Sequence, residues 1–196
     1  MGMADHEQLE QLILARLDAK DAEGAVTEAI RGYGPQLLGY LSVVVRDEEL
    51  AREVFSVVCE DMWRGLPTYR REGSFRGWSY KLAYHAAMRT LREPYRRRMR
   101  RLASELVSAI AEQVKSTTAV HLKTEKKDHL TEVREQLTPE EQTLLVLRVD
   151  RNLSWREVAS VLSGDGSSVD DTAVRKRFER LKEKLKKLLA ARATPE

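Results

Sequence analysis

Apolar positions recur at helical spacing along most of the 196-residue chain and divide it into segments. Residues 22–46 read as helix, with Ala25, Ala29, Leu37, Leu38, Leu41, Val44 and Val45 as the apolar set; Gly32, Gly34 and Pro35 predict a break or a bend in its middle. Residues 48–64 carry an apolar stripe of Leu50, Val54, Val57, Val58 and Met62, and the opposite face carries Glu49, Arg52, Glu53, Ser56, Glu60 and Arg64. Gly65-Leu66-Pro67 ends that helix. Residues 68–75 are polar and irregular, with Gly73-Ser74 as a loop signal. Residues 76–92 are helical again, and Pro94 stops them.

Residues 95–136 are polar and weakly amphipathic, and fit either a helical connector or a linker, so the domain boundary is placed there: 1–94, a linker at 95–136, and 137–196. The last of these segments has the strongest local signals. Thr138-Pro139-Glu140-Glu141 is a capping box with proline at the first helical position. Ser154-Trp155-Arg156-Glu157 is a second one, and its helix runs to Leu162 with Trp155, Val158, Ala159 and Leu162 on one face. A loop at 163–168 follows. Asp171 or Thr172 then caps a last helix, whose seam of Val174, Phe178, Leu181, Leu185 and Leu188 alternates spacings of 4 and 3.

Composition narrows the class. Scarce glycine (10) and proline (5) and few aromatics (6%) disfavour many short strands, so the expected fold is all-α, as two small helical domains. The longest apolar stretch, residues 37–45, contains Gly39 and Ser42 and is far short of the roughly 20 residues that span a bilayer, so no membrane insertion is expected. The N-terminus has no basic region followed by an apolar one. A single cysteine, Cys59, and four scattered histidines offer no disulfide and no zinc spacing; no metal, no cofactor and a cytoplasmic location are the expectations.

The net charge of +3 hides a strong segregation. Residues 47–63 hold six acids and one base, residues 64–101 twelve bases and two acids, and residues 172–196 nine bases and three acids. Two concentrated basic blocks suggest two anion-binding surfaces.

Each block has nucleic-acid features. Trp63, Tyr69, Phe75, Trp78, Tyr80 and Tyr84 are half of the twelve aromatics, interleaved with Arg64, Arg70, Arg71, Arg76 and Lys81. Aromatic faces stack on unpaired bases while cations track phosphates, the combination that holds single strands. Trp63 and Trp78 fit a domain core equally well; the loop 69–76 reads as contact, because Gly73-Ser74 keeps it exposed. His85 fits a base or phosphate contact or a structural role. The final helix places Arg175, Lys176, Arg177, Arg180, Lys182, Lys184 and Lys187 away from its seam; a basic amphipathic helix of this kind also suits a membrane surface or a partner helix, and the capped helix before it favours a helix-turn-helix whose second helix reads the major groove with its N-terminal residues. The acidic face around Glu49, Glu53, Glu60 and Asp61, beside an exposed Cys59 or Ser56, is a candidate protein-docking surface. No phosphate loop, HExxH or nucleophile motif is present, and the chain reads as a non-enzyme.

These pieces resemble an RNA polymerase sigma factor of the extracytoplasmic-function (ECF) group, which joins two helical domains, regions 2 and 4, by a linker. The resemblance covers about residues 23–92 and 137–190. Glu49-Leu50-Ala51-Arg52-Glu53-Val54-Phe55-Ser56 looks like the segment that docks on the polymerase clamp; it implies polymerase contacts at Glu49, Arg52, Glu53, Ser56, Glu60 and Trp63. The stretch from Leu66-Pro67 through Gly73-Ser74-Phe75-Arg76-Gly77-Trp78 looks like the loop and helix start that melt and capture the −10 element; it implies DNA contacts at Tyr69, Arg70, Arg71, Ser74, Phe75, Arg76, Trp78, Tyr80, Lys81 and His85. Ser154-Trp155-Arg156-Glu157-Val158-Ala159 and Ala173-Val174-Arg175-Lys176-Arg177-Phe178-Glu179-Arg180 resemble the two helices of the −35 reader, implying contacts at Thr172, Arg175, Lys176, Arg177 and Arg180. Ser56 stands where the family commonly has Gln, Cys59 where it has Phe, and His85 where Asn is usual; the last turn is about five residues longer than a compact helix-turn-helix.

The resemblance implies a promoter-specificity subunit for transcription initiation. Its partners would be core RNA polymerase (the clamp helices of the largest subunit and the flap of the second), promoter DNA in duplex and single-stranded form, and an anti-sigma factor. The alternatives are a sigma-like decoy that sequesters an anti-sigma regulator and a plain helix-turn-helix regulator.

Overall fold

The computed structural model describes residues 3–92, 105–122, 133–164 and 168–193, and these are helical with no β-strand. They fall into two compact units, Met1–Thr124 and Glu125–Glu196. The basic run at 96–101 and the loop residues 165–167 lie outside the described residues.

The first unit is built around one helix. α1 (Met3–Asp18), α2 (Ala22–Val45), α3 (Glu48–Gly65), α4 (Phe75–Arg92) and α5 (Glu105–Leu122) follow in order, with a short 3-10 turn, Leu66–Thr68, after α3. α2 touches each of the other four. Its apolar residues therefore go nearly all round, and Val26, Ile30, Tyr33, Leu37, Leu38, Tyr40 and Leu41 are all buried. Side-chain caps set the starts of α2 and α3: Asp21 accepts from the Gly24 amide (2.8 Å) and Asp47 from the Leu50 amide (2.9 Å).

Of the break or bend expected in the middle of α2, the break does not occur: the helix runs on through Pro35. Proline inside a helix costs about 3 kcal/mol. Burial of the large apolar side chains that flank Pro35 gives about 1.5–3 kcal/mol each, and several of them outweigh that cost. The two glycines serve as notches instead. A Cβ on Gly32 would lie 2.2 Å from Leu9 Cδ2 of α1, and one on Gly34 would lie 3.0 Å from Val114 of α5 and 3.2 Å from Phe55 of α3. α5 is accordingly a packed helix, with Val107, Ile110, Ala111 and Val114 buried. The stretch assigned to a linker at 95–136 thus contributes residues 105–122 to the first unit.

Cys59, read from the sequence as exposed, is buried. It is 1% exposed on α3, with burial pushing its thiol up to about 12 and nearby Lys115 acting in the opposite sense. We expect no labelling of Cys59 by a thiol reagent at pH 8 until the protein is denatured; rapid labelling of the native protein would contradict this packing.

The second unit contains α6 (Pro139–Leu145), α7 (Trp155–Leu162) and α8 (Asp171–Ala193). A single wide π-type turn, Val146–Asp150, extends α6. Both predicted capping boxes form, at Thr138 with Glu141 and at Ser154 with Glu157. Val158, Val161, Val174 and Leu181 are buried along the α7–α8 seam, with Leu147 behind them, while Phe178, Leu185 and Leu188 are half-buried. Lys184 ties α8 to α6 through Glu141 (2.6 Å).

Candidate nucleic-acid interface

Tyr69, Phe75 and Trp78 form one aromatic cluster at the start of α4. Ring centroids lie 5.0 Å apart for Tyr69–Phe75, 5.2 Å for Tyr69–Trp78 and 4.9 Å for Phe75–Trp78. Phe75 is 0% exposed and forms the floor, whereas Tyr69 and Trp78 are half-buried and keep part of their rings open to solvent. The Tyr69 hydroxyl donates to the Gly73 carbonyl (2.8 Å), which closes the loop on itself. Burial, and then the Glu10 carboxylate, push the Tyr69 phenol up to about 12, so it keeps the proton it donates. Arg70 and Arg71 project from this loop and are exposed; Arg71 is in the left-handed region (φ 57°) and pairs with Asp18 (2.7 Å).

Ser74 caps α4 by accepting from the Gly77 amide (3.0 Å). Trp78, Lys81 and His85 then fall one turn apart along the helix, all partly exposed, so a mixed aromatic and cationic strip continues from the loop. Arg76 turns inward. Its guanidinium reaches Gln36 (3.4 Å) and sits 5.9 Å over the Tyr80 ring.

Burial corrects three of the sequence assignments. Phe75 and Tyr80 are fully buried, Tyr80 edge-on against Tyr40 (5.6 Å), so they support the face without being part of it. Glu60 is 2% exposed, and its carboxylate lies 2.6 Å from Arg64 Nε, an ion pair whose alignment falls short of a hydrogen bond. The accessible part of the α3 face is therefore Glu49 and Glu53, which are exposed, with Arg52, Ser56 and Trp63 half-buried beside them. Arg52 is paired with Glu48 one turn back (2.7 Å).

In the second unit Thr172, Arg175, Lys176, Arg177 and Arg180 are exposed on α8. Trp155, at the start of α7, lies against Phe178 of α8 (5.3 Å) and takes the Arg148 guanidinium 4.6 Å over its ring. Arg148 also donates to the Leu153 carbonyl (2.9 Å), holding the turn in which Asn152 is left-handed (φ 54°). Arg175 sits 5.8 Å from the same Trp155 ring and 3.2 Å from Asp171. Arg148, Asn152, Trp155, Arg156, Asp171 and Arg175 line one open cleft.

Residues 29–98 match the family model of sigma-70 region 2. The chain is also 25% identical over 157 residues to the RNA polymerase sigma factor YlaC of Bacillus subtilis (strain 168), an alignment covering 79% of this chain and 89% of that relative. The chain therefore carries a segment that matches sigma-70 region 2 and is similar, over most of its length, to a sigma factor. The region 2 match spans most of α2, all of α3 and the whole of the aromatic cluster with α4. No helix among the described residues is long and apolar enough to cross a membrane, and no group of side chains among them could hold a metal ion.

The sequence reading missed two contributors. Arg148 carries no motif of its own, and only its distance to Trp155 reveals it. Glu10 belongs to α1, whose contacts with residues 75 and 76 span 65 and 66 positions and leave no local signal.

Proposed function

We propose that this chain is a sigma factor of the ECF type that directs core RNA polymerase to promoters with −35 and −10 elements, assists melting at the −10 element, and performs no bond chemistry of its own. The observation that carries this reading is the half-open pair of Tyr69 and Trp78 over buried Phe75, with Arg70 and Arg71 beside it. A ring face that is partly exposed and rigidly floored can take a stacked base, and neighbouring arginines suit the phosphates on either side. Lys81 and His85 extend that track along α4, and Ser74 fixes where it begins.

The exposed residues of α8, Thr172, Arg175, Lys176, Arg177 and Arg180, suit a major groove, and the Arg148–Trp155–Arg175 cleft at its foot suits the adjoining backbone. Glu49 and Glu53, with Arg52, Ser56 and Trp63, suit docking on the clamp helices of the polymerase's largest subunit; the second unit would engage the flap of the next. An anti-sigma factor would act by covering these same faces. The domain roles follow: residues 1–94 for docking and the −10 element, 137–196 for the −35 element, and action in the cytoplasm.

The test is transcription of a genomic fragment pool by purified core polymerase. With the wild-type chain we expect new, protein-dependent starts sharing −35 and −10 sequences. With Glu49→Lys and Glu53→Lys together, both exposed and so tolerated by the fold, we expect those starts and co-purification with core to be lost while helicity is unchanged. No new starts with the wild-type chain would refute the function; unchanged co-purification of the variant would refute the docking face.

A further inference from the structure

Glu10 of α1 reaches across to the start of α4. Its carboxylate accepts from the Phe75 amide, from the Arg76 amide (3.3 Å) and from the Tyr33 hydroxyl (2.9 Å) of α2. The first amides of a helix have no partner within the helix. Here they are shared out: Ser74 takes Gly77, and Glu10, from 65 positions away, takes Phe75 and Arg76. A negative group at that end also matches the helix dipole. A second link runs from the last turn of the same helix, where Asp18 pairs with Arg71 (2.7 Å) in the left-handed corner of the loop. α1 thus holds the 69–74 loop at two points, its apex and its junction with α4. Leu9, seated in the notch at Gly32, and Ile13, which is fully buried, anchor α1 itself.

The backbone of Phe75 is what Glu10 grips, and the ring of Phe75 is the floor on which Tyr69 and Trp78 rest. We propose that α1 is the positioning element of the strand-capturing loop and that Glu10 is its positioning residue, setting the height and angle at which Tyr69 and Trp78 meet an unpaired base. Glu10 touches no DNA in this arrangement; it acts through Phe75. The proposal rests on the strand-capture role given above to Tyr69 and Trp78.

The experiment uses holoenzyme assembled from core polymerase and the full chain, and a fluorescent single-stranded oligonucleotide carrying the non-template −10 sequence. Glu10→Ala should weaken strand binding about tenfold, the scale of losing charge-assisted hydrogen bonds, with core affinity and helicity unchanged. Glu10→Gln, which keeps an acceptor oxygen without the charge, should fall between Glu10→Ala and wild type. Tyr69→Ala serves as the reference for direct contact. If Tyr69→Ala leaves strand binding intact, the capture role itself fails. If Tyr69→Ala weakens binding and Glu10→Ala does not, α1 has no positioning role. If Glu10→Ala lowers core affinity, helicity and strand binding in the same proportion, the carboxylate only holds the fold together and the proposal is overturned.

Discussion

Replacing Tyr69 by alanine is expected to reduce open-complex formation on a duplex promoter by roughly five- to 150-fold, the equivalent of about 1–3 kcal/mol of lost base stacking. The half-buried ring lies at the rim of the aromatic cluster, and its hydroxyl bonds only within the loop, so its loss leaves the helical core untouched. Closed-complex binding to duplex DNA and affinity for core polymerase should stay near wild type. A template with a pre-melted −10 region removes the cost of melting and should restore transcription in part, the remaining deficit being the lost stacking; no rescue at all would exclude a melting role. Phe75→Ala makes a poor substitute. Phe75 is 0% exposed, and truncating a buried phenylalanine costs about 3–5 kcal/mol, so that variant would lose every activity together.

A second large effect is expected at Arg175. A guanidinium forked onto a guanine carries about 1–3 kcal/mol of discrimination, so Arg175→Ala should flatten the preference at one or two −35 positions in a library of −35 variants. Lys176→Ala should do so at a neighbouring position. Arg180 lies more than a turn further along, and its loss should weaken binding to all sequences alike and lower the salt slope by about one. Lys184 plays a different part: paired to Glu141 at 2.6 Å, it ties α8 to α6, and Lys184→Ala should reduce thermal stability before it changes DNA affinity. If no substitution at Arg175, Lys176 or Arg180 alters the preferred −35 sequence, α8 is not the reader.

Local signals made the second unit legible. The boxes at Thr138 and Ser154 are short-range hydrogen-bond patterns that a sequence states outright, and the Val174–Phe178–Leu181 seam needs only one helix to be seen. α3 was legible for the same reason, from its apolar stripe and the Leu66-Pro67 stop, and α4 from the Gly73-Ser74 loop signal before it and Pro94 after it. What escaped depends on distant partners. Gly32 and Gly34 suggest a break until Leu9 and Val114 are seen filling the space they leave. Glu60 sits on the polar face of α3 by periodicity, yet is almost fully covered in the packed unit, with Arg64 as its partner. Phe75 and Tyr80 belong to an aromatic-basic pattern that looks like surface, and only their packing against Tyr69, Trp78 and Tyr40 assigns them to the floor.

The central place of α2 has a genetic consequence. The α3 face that bears Glu49 and Glu53 and α4, which bears Trp78 and follows the loop of Tyr69, both lean on the same helix. Lesions in its buried positions, Leu37 or Leu41 for instance, should therefore behave as nulls for every phenotype at once, and overexpression should rescue them partially by mass action on the folded fraction. Alleles at Glu53 or Tyr69 should instead separate functions, each dominant or recessive according to whether the crippled protein still occupies polymerase. A collection of mutants sorted this way would map the two working faces without any structural probe.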